Sequence, residues 1–147
     1  MQNTWIQAVA RSWRMRGLRE PYRSLLDQDD GRLVSIDCET TSLKVKDAEL
    51  LSLAAVCIDG QRLCTSDAFY ALITPQHAPD GQNVRVHGLR PCDFSTGLPL
   101  QDVLSAFLQF VRGRTLVGYY LQYDLAVLNK NLRPLMGAAL PNSRIEV

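Results

Sequence analysis

The sequence predicts an α/β domain with a mixed sheet: an antiparallel meander of three strands, then an α-β-α-β run, with helices on the flanks. Three observations carry this prediction. Apolar runs of strand length occupy residues 33–37, 49–58 and 68–72, and the turn dipeptide Asp59-Gly60 separates the second run from the third. Leu100, Val103, Leu104, Phe107, Leu108 and Val111 recur at i, i+3, i+4, i+7, i+8 and i+11, the clearest helical stripe in the chain. Beyond that stripe, short apolar segments alternate with helical ones, the pattern of a sheet with helical crossovers.

Taken in order, Thr4-Trp5-Ile6-Gln7 has the form of a capping box, and Trp5, Ile6, Val9, Ala10 and Trp13 follow at helical spacing up to a stop near Gly17. Residues 18–31 hold Pro21 and the cluster Asp27-Gln28-Asp29-Asp30-Gly31, so they are expected to form an irregular connector. The expected division is therefore an amphipathic helix with its connector over 1–31 and the main domain over 32–147. Within the latter, residues 33–37 suit a strand buried on both faces, and residues 49–58 suit its partner. The chain returns through residues 62–64 and 68–72 as a third strand with a bulge or break, ending at Pro75. A loop containing Pro79, Gly81, His87 and Gly88 leads to the helix over 100–111.

Residues 115–118 then form a fourth strand, and residues 121–136 a further helix that stops at Gly137. Arg144-Ile145-Glu146-Val147 opens a fifth strand. A strand start is an unusual place for a domain to end, so the C-terminus is expected to be truncated. The face left uncovered would include Leu33, Leu53 and Val117 and would promote self-association.

Composition excludes several classes. With 46% hydrophobic and 21% charged residues, nine Gly and seven Pro in 147 residues, the chain is not disordered, collagenous or fibrous. No apolar run approaches the roughly 20 residues of a membrane helix, so no membrane partner is expected. Cys38, Cys57, Cys64 and Cys92 form no CxxC pair, which argues for free thiols, a cytoplasmic setting and no zinc knuckle. The formal net charge of +1 supplies no global field, so a polyanion must be held locally. The local charge is uneven, since Arg11, Arg14, Arg16, Arg19 and Arg23 face only Glu20 within the first 26 residues.

Asp37 and Glu39 stand two apart at the end of the first strand, where period-two geometry turns both carboxylates to one side. Taken alone, the pair also fits two solvated carboxylates in a strand-end turn. At the mouth of an apolar sheet, their repulsion favours a divalent cation, and an all-oxygen site suits magnesium or manganese.

The surrounding residues sharpen this. Asp37-Cys38-Glu39-Thr40-Thr41-Ser42-Leu43 resembles the first motif, Asp-x-Glu-Thr-Thr-Gly-Leu, of the DEDD-type 3′-to-5′ exonucleases, the group that includes the epsilon proofreading subunits of bacterial DNA polymerase III. Val86-His87-Gly88-Leu89 resembles that group's Ile-His-Gly-Ile element. The stretch from Leu116 to Asp124, Leu-Val-Gly-Tyr-Tyr-Leu-Gln-Tyr-Asp, resembles its second motif, Leu-Val-Gly-His-Asn-x-x-Phe-Asp. The resemblance implies an RNase H-like fold in which Asp37, Glu39 and Asp124 are catalytic and hold two magnesium or manganese ions. It also implies that Thr40, Thr41, Leu43, His87 and Tyr123 line the pocket for the 3′-terminal nucleotide, and that the partners are a single-stranded DNA 3′ end and a polymerase subunit.

Two departures qualify it. Ser42 replaces the usual Gly, and Tyr119-Tyr120 replaces His-Asn. The family's third motif, His-x-x-x-x-Asp, is absent from these 147 residues: His77 and His87 precede the second motif, and Glu146 is the sole carboxylate after Asp124. A non-catalytic nucleic-acid-binding or polymerase-binding module on the same scaffold is the alternative, and an RNA-trimming enzyme is a third reading.

Overall fold

The computed structural model describes residues 4–77, 79 and 81–147. Its elements run α1 (Thr4–Arg14), α2 (Tyr22–Leu26), β1 (Leu33–Thr40), β2 (Leu50–Asp59), β3 (Arg62–Leu72), α3 (Gly81–His87), a 3₁₀ turn (Pro91–Thr96), α4 (Leu100–Val111), β4 (Thr115–Gly118), α5 (Leu121–Met136) and β5 (Arg144–Glu146). The five strands form one sheet in the order β3-β2-β1-β4-β5. The β1/β2 and β2/β3 pairs are antiparallel, whereas β4 runs parallel to both β1 and β5. This is the expected meander followed by crossovers. The third strand's irregularity is a register shift: Val56 pairs with Ala68, but the next residue, Cys57, pairs with Cys64.

Strand alternation divides the sheet into two unlike faces. Val34, Ile36 and Cys38 of β1 look toward α4 and α5, with Val103, Leu104, Phe107, Leu108 and Val111 from α4 and Leu121, Leu125, Leu128, Leu132 and Met136 from α5 filling the core. The register places Leu53 opposite Cys38, hence on this same face, and Leu53 is fully buried. The expectation that Leu53 belongs to an open apolar face is therefore wrong. Residues of the other face are Leu33, Val56, Ile58, Val117 and Ile145, with Leu63 and Tyr70 both 62% exposed; Val117 itself is buried.

Two segments expected to be irregular contain helix. The connector over 18–31 carries α2, which packs against α4 and buries Leu26. Likewise α3 and the 3₁₀ turn occupy the stretch between β3 and α4, and the latter segment is anchored where Ile73 bridges Leu98. Each is a turn or two long, too short for hydrophobic periodicity to register. The capping arrangement expected of Thr4 and Gln7 lies outside the described side chains.

The N-terminal segment meets the main domain in two ways. Met15, Leu18 and Leu26 join the common core, while Trp5, Ile6, Val9 and Trp13 of α1 remain exposed. Arg11 donates to Asp29 (3.2 Å) and to the Leu26 carbonyl (3.1 Å), and the Gly113 amide donates to the Gln28 carbonyl (2.7 Å). A Cβ at position 113 would stand 2.6 Å from the Leu26 carbonyl, so only glycine lets the connector approach the α4–β4 turn this closely.

Beside that contact, the buried Arg114 guanidinium makes two bonds to Asp30 (3.0 and 2.8 Å), and Arg32 adds two more (2.9 and 2.7 Å). These cations hold the Asp30 carboxyl far below the usual carboxylate range. Asp30→Ala strands a buried guanidinium and is expected to cost about 2 kcal/mol at pH 7. Because the Asp30 pKa is lowered on folding, its contribution is present above pH 4 and is lost as the pH falls below it. Urea denaturation of both proteins should therefore show the gap at pH 7 closing in acid; a gap that does not depend on pH would contradict this account.

Candidate active site

The carboxylates meet where β1 ends and α5 begins. Parallel pairing of Val34 with Leu116 and Ser35 with Val117 sets β4 beside β1, and the chain leaves β4 through Gly118 directly into α5. A Cβ on Gly118 would lie 3.2 Å from the Ile36 carbonyl and 3.0 Å from Leu121, so this close passage selects glycine. Tyr120 then takes a left-handed conformation (φ 52°) at the head of α5. Glu146 on β5 accepts the Leu121 amide at 3.0 Å, satisfying one of the free donors at that helix start. The sole carboxylate after Asp124 thus caps a helix.

Asp124 consequently lies in the first turn of α5, buried, with Oδ1 accepting the Cys38 backbone amide at 3.1 Å. Asp124 lines one cleft with Asp37, which is exposed, and Glu39, which is half-buried on the same side of β1. Burial raises the Asp124 pKa from its ordinary 3.8 to about 6, and the Asp37 charge adds to this against the lowering effect of the Cys38 bond. Burial and Asp37 also raise Glu39, while His87 opposes the rise. Burial pushes the Cys38 thiol up, with Asp124 reinforcing it, so Cys38 is a neutral neighbour and not a nucleophile.

Around these groups lies an open cleft of about 330 Å³, lined by the carboxylates together with Thr40, Leu43, His87, Tyr123 and others. The Tyr123 and Thr40 hydroxyls stand 2.6 Å apart and both reach the Ser42 carbonyl, which fixes the turn after β1. His87 accepts the Leu89 amide on Nδ1 (3.0 Å), which leaves the proton of the neutral ring on Nε2. Nε2 is buried and has no hydrogen-bond partner among the described residues. Thr41 is placed differently from the others: its amide and hydroxyl bond Glu49, and it does not line the cleft. Glu49 in turn holds Gln76 and His77, so that second histidine serves the β1–β2 connection.

Ser42, Val86 and Tyr120 line the cleft although sequence reasoning did not place them there, and Tyr119, for which the sequence left a core position and a base-stacking one equally open, lines it as well. Leu43, Val86, Tyr119 and Tyr120 are between 70% and 85% exposed, and the Tyr120 and Tyr123 rings lie nearly parallel with centroids 6.5 Å apart. A signal for the two tyrosines existed in their departure from the family's His-Asn. Among the described residues, no three His, Cys, Asp or Glu side chains stand close enough together to hold a metal ion as they are placed. The donor set suits a hard divalent cation: it is all oxygen, and Asp37, Glu39 and Asp124 line one cleft.

Residues 34–147 match the model of the exonuclease (RNase T) family. The chain belongs to that family. It is 27% identical over 113 residues to the DNA polymerase III subunit epsilon of Aquifex aeolicus, spanning 77% of this chain and 55% of that protein. It is 28% identical over 97 residues to RNA exonuclease 4 of Xenopus tropicalis, spanning 66% of this chain and 23% of that one. Among solved structures, Escherichia coli exonuclease I in complex with a dA16 oligonucleotide superposes with a TM-score of 0.68 at 16% identity, covering 80% of this chain and 28% of that one. This last likeness establishes the exonuclease fold, the mixed RNase H-like sheet expected from the motifs. The chain spans about half the length of the epsilon relative and under a third of the other two proteins.

Asp124→Asn retains an oxygen acceptor for the Cys38 amide and removes the charge. Between pH 4 and 6 the folded wild type holds a proton that the unfolded chain has released, so this stabilisation is lost as the pH rises through 6. Without divalent ions, urea denaturation is expected to show the wild type losing stability over that interval. Asp124→Asn should flatten the loss and unfold later at pH 7.5, whereas a variant weaker than wild type at pH 7.5 would contradict the assignment.

Proposed function

We propose that this domain is the scaffold of a divalent-metal-dependent 3′-to-5′ exonuclease acting on unpaired DNA 3′ ends, of the proofreading kind. The observation that carries the reading is that Asp37, Glu39 and Asp124 line one cleft together with Tyr119, Tyr120 and Tyr123. Asp37, Glu39 and Asp124 would hold the metal, which supplies an activated water and charge neutralisation at the phosphodiester. The rest is the work of the chain's own residues. Asp124, oriented by the Cys38 amide, sets the third oxygen ligand relative to the β1 pair. Leu43, Val86 and Tyr119 offer apolar and aromatic surface to an unstacked terminal base, and such stacking is worth about 1–3 kcal/mol per base. The unpartnered Nε2–H of His87 donates to an oxygen of the bound nucleotide. Thr40 and Tyr123 hold the turn that positions Leu43.

That part of the relatives are named as RNA enzymes keeps RNA 3′ ends within the substrate class, and a polymerase subunit is the proposed protein partner. No described helix is long and apolar enough to cross a membrane, and the four cysteines are free. These features support a cytoplasmic setting.

The 147 residues hold no His-x-x-x-x-Asp after Asp124, and a positioned general base is worth about 10²–10⁴-fold. The chain is therefore expected to bind a 3′-labelled single-stranded oligonucleotide in manganese and to hydrolyse it slowly or not at all. Asp37→Ala/Glu39→Ala should abolish the manganese-dependent part of the binding, and Tyr119→Ala should weaken binding by about 5- to 100-fold. Brisk mononucleotide release by this chain would show that its general base lies elsewhere. Binding indifferent both to manganese and to the double substitution would overturn the reading.

A further inference from the structure

Among the described residues, four arginines are neutralised by carboxylates. Arg11 pairs with Asp27 and Asp29, Arg32 and Arg114 with Asp30, and Arg90 with Asp93. Arg14 of α1, Arg133 of α5 and Arg144 of β5 have no carboxylate partner among the described residues, yet the fold draws them from distant parts of the chain to one groove of about 370 Å³. No acidic side chain lines that groove; Asn129, Asn142, Leu125 and Leu140 complete most of it.

The groove is tied together from every side. Asn129 accepts the Leu140 amide at 2.8 Å, which fastens the segment after α5 to that helix. The Asn142 amide donates to the Arg112 and Arg114 carbonyls at 2.7 and 2.8 Å, fastening the same segment to the start of β4. Arg14 donates to the Ser143 hydroxyl at 3.1 Å, which holds α1 over the groove. Arg144 stands between Ser143 and the β4/β5 pairing, opposite Leu116. Three unpaired guanidiniums on a braced frame suit the bidentate recognition of phosphate oxygens.

The groove shares Arg144 with a second cleft that extends to the head of α5, the helix that carries Asp124. Arg144 lines a second cleft with Gln122 and Glu146, and Gln122 is two residues from Asp124 in the first turn of α5. Glu146 is the acid on this path, and its carboxylate is occupied by the Leu121 amide. From Asp124 to Arg133 the rise of α5 is roughly 13 Å, the reach of about four nucleotides at the B-form spacing of one strand.

We infer that Arg14, Arg133 and Arg144 form a phosphate track that grips the sugar-phosphate backbone of a single-stranded nucleic acid several nucleotides upstream of the 3′ end held at the carboxylates. The inference rests on the exonuclease reading and extends it to a distal subsite. It gives a chain of net charge +1 the local hold on a polyanion that its overall field does not supply.

The test compares a trinucleotide, confined to the carboxylate cleft, with a 12-mer long enough to reach the track, both carrying phosphorothioate 3′ linkages and a fluorophore, in manganese. Arg133→Glu/Arg144→Glu is expected to weaken 12-mer binding about tenfold or more at 0.1 M salt. It should also lower the slope of log K against log salt by about 1.4, two phosphate contacts at about 0.7 each. Trinucleotide affinity and melting temperature should stay at wild-type values. The charge-matched Arg23→Glu/Arg62→Glu, outside the groove, should leave both ligands unaffected. Equal losses for both lengths, or an unchanged 12-mer affinity and salt slope in the groove variant, would overturn the track while leaving the exonuclease reading intact. Failure of the wild type to bind either ligand would overturn both.

Discussion

Everything at the functional end of this domain answers to one electrostatic constraint: three carboxylates crowd the mouth of an apolar sheet. Asp124 is buried, bonded to the Cys38 amide and lines one cleft with Asp37 and Glu39, and burial, with the Asp37 charge added, raises its pKa to about 6. Maintaining it requires a rigid frame. β4 must run parallel to β1, Gly118 must slip past the Ile36 carbonyl, and α5 must start at once, with Glu146 holding its first amide. A fold selected for stability alone would place an alkyl group or an arginine among those acids. The proposed divalent cation would relieve the repulsion among these acids.

The same economy of charge separates the arginines into two sets. Arg114 is buried and neutralised by Asp30, and it serves the joint between the connector and the sheet. Arg133 and Arg144 remain exposed and unpaired on a frame of asparagine and serine contacts. Residue type did not distinguish the sets, since both are arginine in polar surroundings. Only the tertiary pairing did, because Asp30 and Arg114 lie 84 residues apart in the chain.

Much of the fold was legible because its elements are long or sharply punctuated. The stripe of α4, the Gly137 stop of α5 and the Asp59-Gly60 turn each announce themselves in a few residues. The short helices α2 and α3 escaped because one or two turns carry too few positions for a period to show. Leu53 was assigned to the wrong face because an apolar run buried on both sides reads the same in either phase, and only its pairing with Cys38 decides. The carboxylates and His87, singled out by motif and spacing, do line one cleft, a placement that motif and spacing could anticipate. Thr41 does not, since its contacts run to Glu49 across the β1–β2 connection, and Tyr119 and Tyr120 reveal a role only once their exposure over the cleft is seen.

The central claim, that a divalent cation belongs among Asp37, Glu39 and Asp124, is tested most directly by paramagnetic broadening of the amide NMR spectrum. Substoichiometric manganese added to the isotopically labelled protein at pH 7.5 should selectively erase amides of residues 37–40 and 121–125. Signals from the β2–β3 hairpin around Gly60 should stay sharp, and the broadening should disappear in Asp37→Asn/Asp124→Asn. Broadening centred elsewhere, or surviving unchanged in that variant, would contradict the account.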